Sequence, residues 1–134
     1  MRTLVRNTLG ALLKTAALVL LPLGCKHTPR ERLQGRWLGE TIERVPVDQM
    51  QKATDWVRGM AIEFTGGKVT VSVPAETPRS GTFRVARAEG DELVVNFLRS
   101  EGQQDEAVFR FLDESRIAWQ LGDGRRVVLR KSRN

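Results

Sequence analysis

From residue 60 to the end of the chain, apolar side chains fall on every second position, in short runs separated by turn residues. Met60, Ile62 and Phe64 share one parity, and Gly66-Gly67 follows as a hairpin signal. Val69, Val71 and Val73 come next, then a longer loop from Pro74 to Ser80. Phe83 and Val85, then Leu93, Val95 and Phe97, flank a turn at Gly90-Asp91. Glu101 to Gln104, Asp113 to Ser115 and Gly122 to Gly124 mark the later turns. Between and after them lie Phe109 with Phe111, Ile117 with Trp119 and Leu121, and Val127 with Leu129. Side chains on a strand point alternately to its two faces, so this period of two predicts strands with one face buried and one wet. With an earlier run at Leu33–Ile42, the pattern predicts eight strands. Their even spacing and short turns imply a mainly β domain, a small eight-stranded antiparallel meander barrel whose closure removes exposed edges.

The period changes once. Between the first and second strands, Met50, Ala53, Thr54 and Val57 fall at i, i+3, i+4 and i+7, the stripe of an amphipathic helix. Asp48 with Gln51 three residues on has capping-box spacing, and Gly59 stands where the helix would stop. A helix leaving strand 1 and returning to strand 2 lies over one end of the barrel. Met50, Trp56 and Val57 are therefore the candidate ligand-binding residues if a cavity exists there. If none exists, the same stripe plugs the barrel end.

The N-terminal segment follows other rules. Arg2, Arg6 and Lys14 precede the short apolar run Ala16-Ala17-Leu18-Val19-Leu20-Leu21, which is far below the roughly 20 apolar residues of a bilayer span. A basic start, a short apolar run and small residues at a boundary are the marks of a secretory signal. Gly24-Cys25 ends the run, and Cys25 is the single cysteine. The segment resembles the lipobox-type signal of bacterial lipoproteins. That resemblance implies a signal peptide over 1–24, lipid modification of Cys25, and a membrane-anchored protein of the bacterial cell envelope. Residues 25–32 are polar after the cysteine, with Pro29 and no apolar period, and are expected to be a tether. The folding domain is expected over 33–131.

Charge changes the picture little. The chain carries 22 basic and 16 acidic side chains, for a net +6. Taking Arg2, Arg6 and Lys14 from the 22 leaves 19 against 16, or +3 for the mature part. That balance is too even to argue for nucleic acid. One cysteine excludes a disulfide within the chain, so packing alone must hold the domain.

Candidate chemistry is sparse. His27 is the single histidine and falls in the expected tether, where no second ligand or base joins it. Ser72, Ser80, Ser100 and Ser115 have no histidine partner within the domain. Glu63, Glu92, Asp105 and Glu106 fall on wet faces or in turns, and form no glycosidase pair or metal cluster. Gly66-Gly67 opens no helix and is no phosphate loop. The reading is non-catalytic, with no metal and no cofactor expected.

Gly35-Arg36-Trp37 on the first strand, the meander after it and Arg130 on the last strand resemble the lipocalin and calycin pattern. The resemblance implies that Trp37 packs across one barrel end with Arg130 over it, Arg126 being the rival. It also implies a domain that binds a small apolar ligand. The inward positions are almost all apolar and bulky, and no inward arginine or glutamate stands out. Both a solid core and a small apolar cavity remain open. A filled barrel would instead contact a protein or glycan partner in the envelope through its arginine-bearing outer face.

Overall fold

The computed structural model describes residues 27–133, so Cys25 and the signal segment lie outside the described residues. A short helix α1 (Pro29–Leu33) leads into β1 (Gly35–Glu43). A 3-10 turn (Val47–Gln49) and α2 (Met50–Arg58) follow. The chain then runs through β2 (Ala61–Thr65), β3 (Lys68–Ser72), β4 (Arg79–Glu89) and β5 (Glu92–Arg99). It ends with β6 (Gln104–Asp113), β7 (Arg116–Gln120) and β8 (Arg126–Lys131). Each strand pairs antiparallel with the next, and β8 returns to β1, giving a closed eight-stranded barrel with a helix after strand 1. Both the strand number and the order follow the alternation in the sequence. β4 and β6 run several residues beyond their apolar pairs because their outer halves are polar and are held by neighbouring strands.

The interior is filled most densely by aromatic rings. Phe64 meets Phe83 edge-on at 4.9 Å between centroids, and Phe109 lies 6.2 Å from Phe64 and 6.1 Å from Trp119. Such edge contacts add to the area they bury. Ile62, Leu93, Val95, Ile117, Val127 and Leu129 complete the buried core around them.

One end of the barrel is sealed by residues expected to be tether. Thr28 caps α1, its hydroxyl accepting from the Glu31 amide at 3.2 Å, and Pro29 sits in the first turn. Leu33 is fully buried at the end of this helix, and its carbonyl accepts the Trp37 indole N–H at 2.7 Å. The Arg32 guanidinium lies 3.8 Å over the Phe111 ring, and Arg30 lies 5.9 Å over Phe83. Gln34 exchanges two hydrogen bonds with Gly66 in the β2–β3 turn, at 2.7 and 2.9 Å. Residues 28–33 thus pack onto the barrel end. A five-residue helix has too few turns to show an apolar period, and these tertiary contacts hold it instead.

Two further expectations change. Asp48 is not the cap of α2. It lies inside the 3-10 turn, and Gln51 turns forward to Asp55 at 3.1 Å instead of back to the helix start. Arg130 does not cover Trp37. Its side chain is 63% exposed and binds Glu40 on the outer face at 2.7 Å. Trp37 pairs across the ladder with Lys131, and directly paired residues share a face. The Lys131 ammonium lies 5.4 Å over the Trp37 ring, one residue along from the expected arginine. The rival, Arg126, forks onto Glu43 with contacts of 2.7 to 3.2 Å.

Candidate functional site

The barrel end opposite α1 is formed by the C-terminal ends of β1, β3, β5 and β7 and the N-terminal ends of β2, β4, β6 and β8. Helix α2 crosses this end on the β1 side. Its Val57 is fully buried, and Ala53 packs partly against the core. The docking is set by Gly39, where a Cβ would run into the Val57 carbonyl. The Gly39 amide donates to the Met60 carbonyl at 2.9 Å, which fixes the chain as it leaves the helix. Only a residue without a side chain lets helix and strand approach this closely.

Away from α2, between β3, β4, β5, β6 and β7, the barrel is not filled. A cavity of about 340 Å³ opens at the mouth. Its floor and walls are Val69, Val71, Phe97, Ala107 and Trp119. Phe97 and Trp119 are only half-buried, unlike the aromatic residues deeper in the barrel. Gly81 contributes wall without a side chain, and its Cβ position is filled by the Leu98 carbonyl. Only a residue without a side chain fits this position beside β5.

The rim is charged. Cross-strand pairing joins Val71 to Arg79, Gly81 to Arg99 and Phe97 to Asp105. Val71 and Phe97 face the cavity, so their partners Arg79 and Asp105 face it too, and Arg99 does so with Gly81. Arg99 is held in place. Its Nε and Nη2 each lie 2.7 Å from the same Asp105 oxygen, Nη1 donates to Gln103 at 3.0 Å, and Glu101 lies 3.9 Å away. The Arg79 side chain makes no hydrogen bond or ion pair among the described residues.

This differs from the expectation of an interior without arginine. Asp105 was expected on a wet face or in a turn, and Arg99 ends β5. The register of β5 against β4 and β6 turns both inward at the mouth. Arg79 lay in a stretch read as loop and was not singled out. The signal was present in the alternation: Phe97 extended one step gives Arg99, and Phe83 extended back through Gly81 gives Arg79.

The helix residues are not brought to this cavity. Val57 lies in the core, Met50 and Trp56 are exposed on the outer side of α2, and none of the three lines the mouth. Trp37 is at the opposite, sealed end. His27 is exposed and lies 3.2 Å from Glu31. Among the described residues no three histidine, cysteine or acidic side chains cluster as a metal site, and no helix is long and apolar enough to cross a membrane.

Charge pairs brace the loops around the mouth. The Arg126 fork holds the Glu43 carboxyl below its ordinary pKa. Hydrogen bonds from Arg125 do the same for Asp123.

No family model and no curated protein matches the chain. Among solved structures, the fold is similar to a lipocalin-like protein from Bacteroides uniformis at 15% identity and a TM-score of 0.49. The match spans 75% of this chain and 99% of that one.

Proposed function

We propose that this protein is a non-catalytic envelope lipoprotein, anchored through Cys25, whose lipocalin-like barrel holds a small apolar ligand at its open end. The observation that carries the binding role is the cavity of about 340 Å³ floored by Phe97 and Trp119. Apolar cavities of a few hundred Å³ with a small number of placed polar groups are the usual form of small-molecule sites. The anchor rests on the basic start, the short apolar run and Cys25 directly after Gly24. In this reading Met50 and Trp56 lie outside the ligand's path, Val57 makes α2 a fixed plug on the β1 side, and ligand contact falls to Phe97 and Trp119.

The anchor and the closed end act together. Residue 27 enters α1 at the sealed end. A lipid on Cys25 therefore holds that end near the bilayer, with the mouth turned toward solvent.

Two experiments test the reading. Native mass spectrometry of the protein extracted from its own membrane is expected to show a one-to-one adduct of a small apolar molecule. A Trp119→Arg variant, which removes the indole from the floor and sets a charge in its place, is expected to lose it. An adduct that persists in that variant would place the ligand elsewhere. Labelling with a tagged fatty acid is expected to mark the wild type and not Cys25→Ala, and equal labelling of both would remove the anchor.

A further inference from the structure

The rim of the mouth discriminates among apolar ligands by their heads. We infer that the cavity selects a single-chain amphiphile with an anionic head, such as a carboxylate or phosphate, and that Arg79 is the residue that receives it. This rests on the apolar-ligand reading and adds the head-group chemistry.

Arg79 and Arg99 are the inward cations at the mouth, carried by adjacent antiparallel strands and separated in the pairing by the bare Gly81. Asp105 faces in from β6, and its carboxylate is already engaged by two nitrogens of Arg99. Gln103 and Glu101 occupy the remaining side of that guanidinium. Arg79 has no such partner, although it directly pairs with Val71 of the cavity wall. The mouth therefore holds an ion pair beside an exposed guanidinium that no protein group engages among the described residues. A planar guanidinium offers paired donors that match a carboxylate or phosphate in two contacts. A cationic head would meet Arg79 with like charge, and a neutral head would leave the fork to water.

The volume sets the tail. At about 30 Å³ per water-sized group, 340 Å³ takes roughly eleven such groups, which suits one chain of about eight to ten carbons. The apolar chain lies against Val69, Val71, Phe97 and Trp119, and the head stays at the rim.

Trp119 supplies the readout because it lines the cavity, whereas Trp37 is sealed at the other end and Trp56 is outside. A bromine at the tail end of a bound probe quenches a touching indole. The full chain, held in amphipol, is titrated with 8-bromooctanoate, 8-bromooctan-1-ol and 8-bromooctylammonium, with Trp119→Phe as the blank. Saturable quenching is expected for the carboxylate, about ten-fold tighter than for the alcohol, with the ammonium weakest. Arg79→Gln is expected to lower carboxylate affinity to that of the alcohol while leaving the alcohol unchanged. Asp105→Asn, which frees Arg99 from its internal partner, is expected to tighten the carboxylate further. Equal affinities of carboxylate and alcohol in the wild type, or equal weakening of both by Arg79→Gln, would overturn the head-group assignment and leave apolar binding standing. Absence of saturable quenching by any of the three would remove the cavity as a binding site and the head-group assignment with it.

Discussion

The indole N–H of Trp37 donates to the carbonyl of Leu33 at 2.7 Å, across the junction between α1 and β1, and both residues are fully buried. This bond ties the short N-terminal helix to the barrel floor at the one place where β1 begins. Trp37→Ala removes the ring and leaves that carbonyl without its donor. The expected loss is about 3 to 5 kcal/mol, a large part of a small domain's stability. Trp37→Phe keeps most of the volume and is expected to lose less, chiefly the hydrogen bond. Urea melts of the two variants check the order, and equal midpoints for Trp37→Ala and wild type would contradict the packing.

Neighbouring basic residues on β8 are expected to behave differently. Lys131 covers the Trp37 ring, whereas Arg130 binds Glu40 from a largely exposed position. Arg130→Ala is expected to change stability by no more than about 0.5 kcal/mol, as exposed pairs usually do. Lys131→Glu, which places an anion over the indole, is expected to cost more. Thermal melting of both variants gives the comparison, and the reverse order would return Arg130 to the ring.

Helix α2 depends on the contact between Gly39 and Val57. Gly39→Ala forces a methyl into the Val57 carbonyl and is expected to cost about 1 to 3 kcal/mol, as overpacking does. Val57→Asp buries an unpaired charge and is expected to unfold the domain at room temperature. Trp56→Ala, on the exposed face of the same helix, is expected to leave the melting midpoint nearly unchanged. Circular dichroism melts separate the three, and a Trp56 variant as damaged as Val57→Asp would reverse the assigned faces.

Acid is expected to loosen the domain in a defined window. Glu43 has its pKa lowered below 4.5, first by the hydrogen bonds from Arg126. Asp113 is lowered below 3.8, first by the Ser115 amide, and Asp123 below 3.8, first by Arg125. A carboxyl whose pKa is lower in the folded state binds fewer protons there than in the unfolded chain. Its stabilisation is therefore complete above the ordinary value and lost as pH falls through the lower folded value. Melting midpoints are expected to hold from pH 7 to about 5 and to decline below about 4.5. Glu43→Gln is expected to remove its share at neutral pH, about 1 kcal/mol or less because the pair is partly solvated. The variant's acid decline is expected to be shallower, and an identical pH profile would show that the Arg126 fork contributes nothing.

Much of this molecule is written in its alternation. The run at Leu33–Ile42, period two from Met60 to Leu129 and the single helical stripe between them determine eight strands, one inserted helix and most of the buried residues, Phe64, Phe109 and Leu129 among them. These features are local, because a side chain's face on a strand follows from parity alone. The sequence by itself also marks Cys25 as the one chemically distinctive position before the domain. What it left undetermined depended on register and on contacts far apart in the chain. The α1 cap carries no period and is held by Phe111, Phe83 and Gly66, each more than thirty residues away. Lys131 rather than Arg130 covers Trp37 because a one-residue choice of register exchanges the faces of β8. The mouth followed from the same cause. Arg79, Arg99 and Asp105 continue the inward parity of Phe83, Phe97 and Ala107, but only the pairing of β3 through β6 extends the strands that far and gathers all three at one mouth.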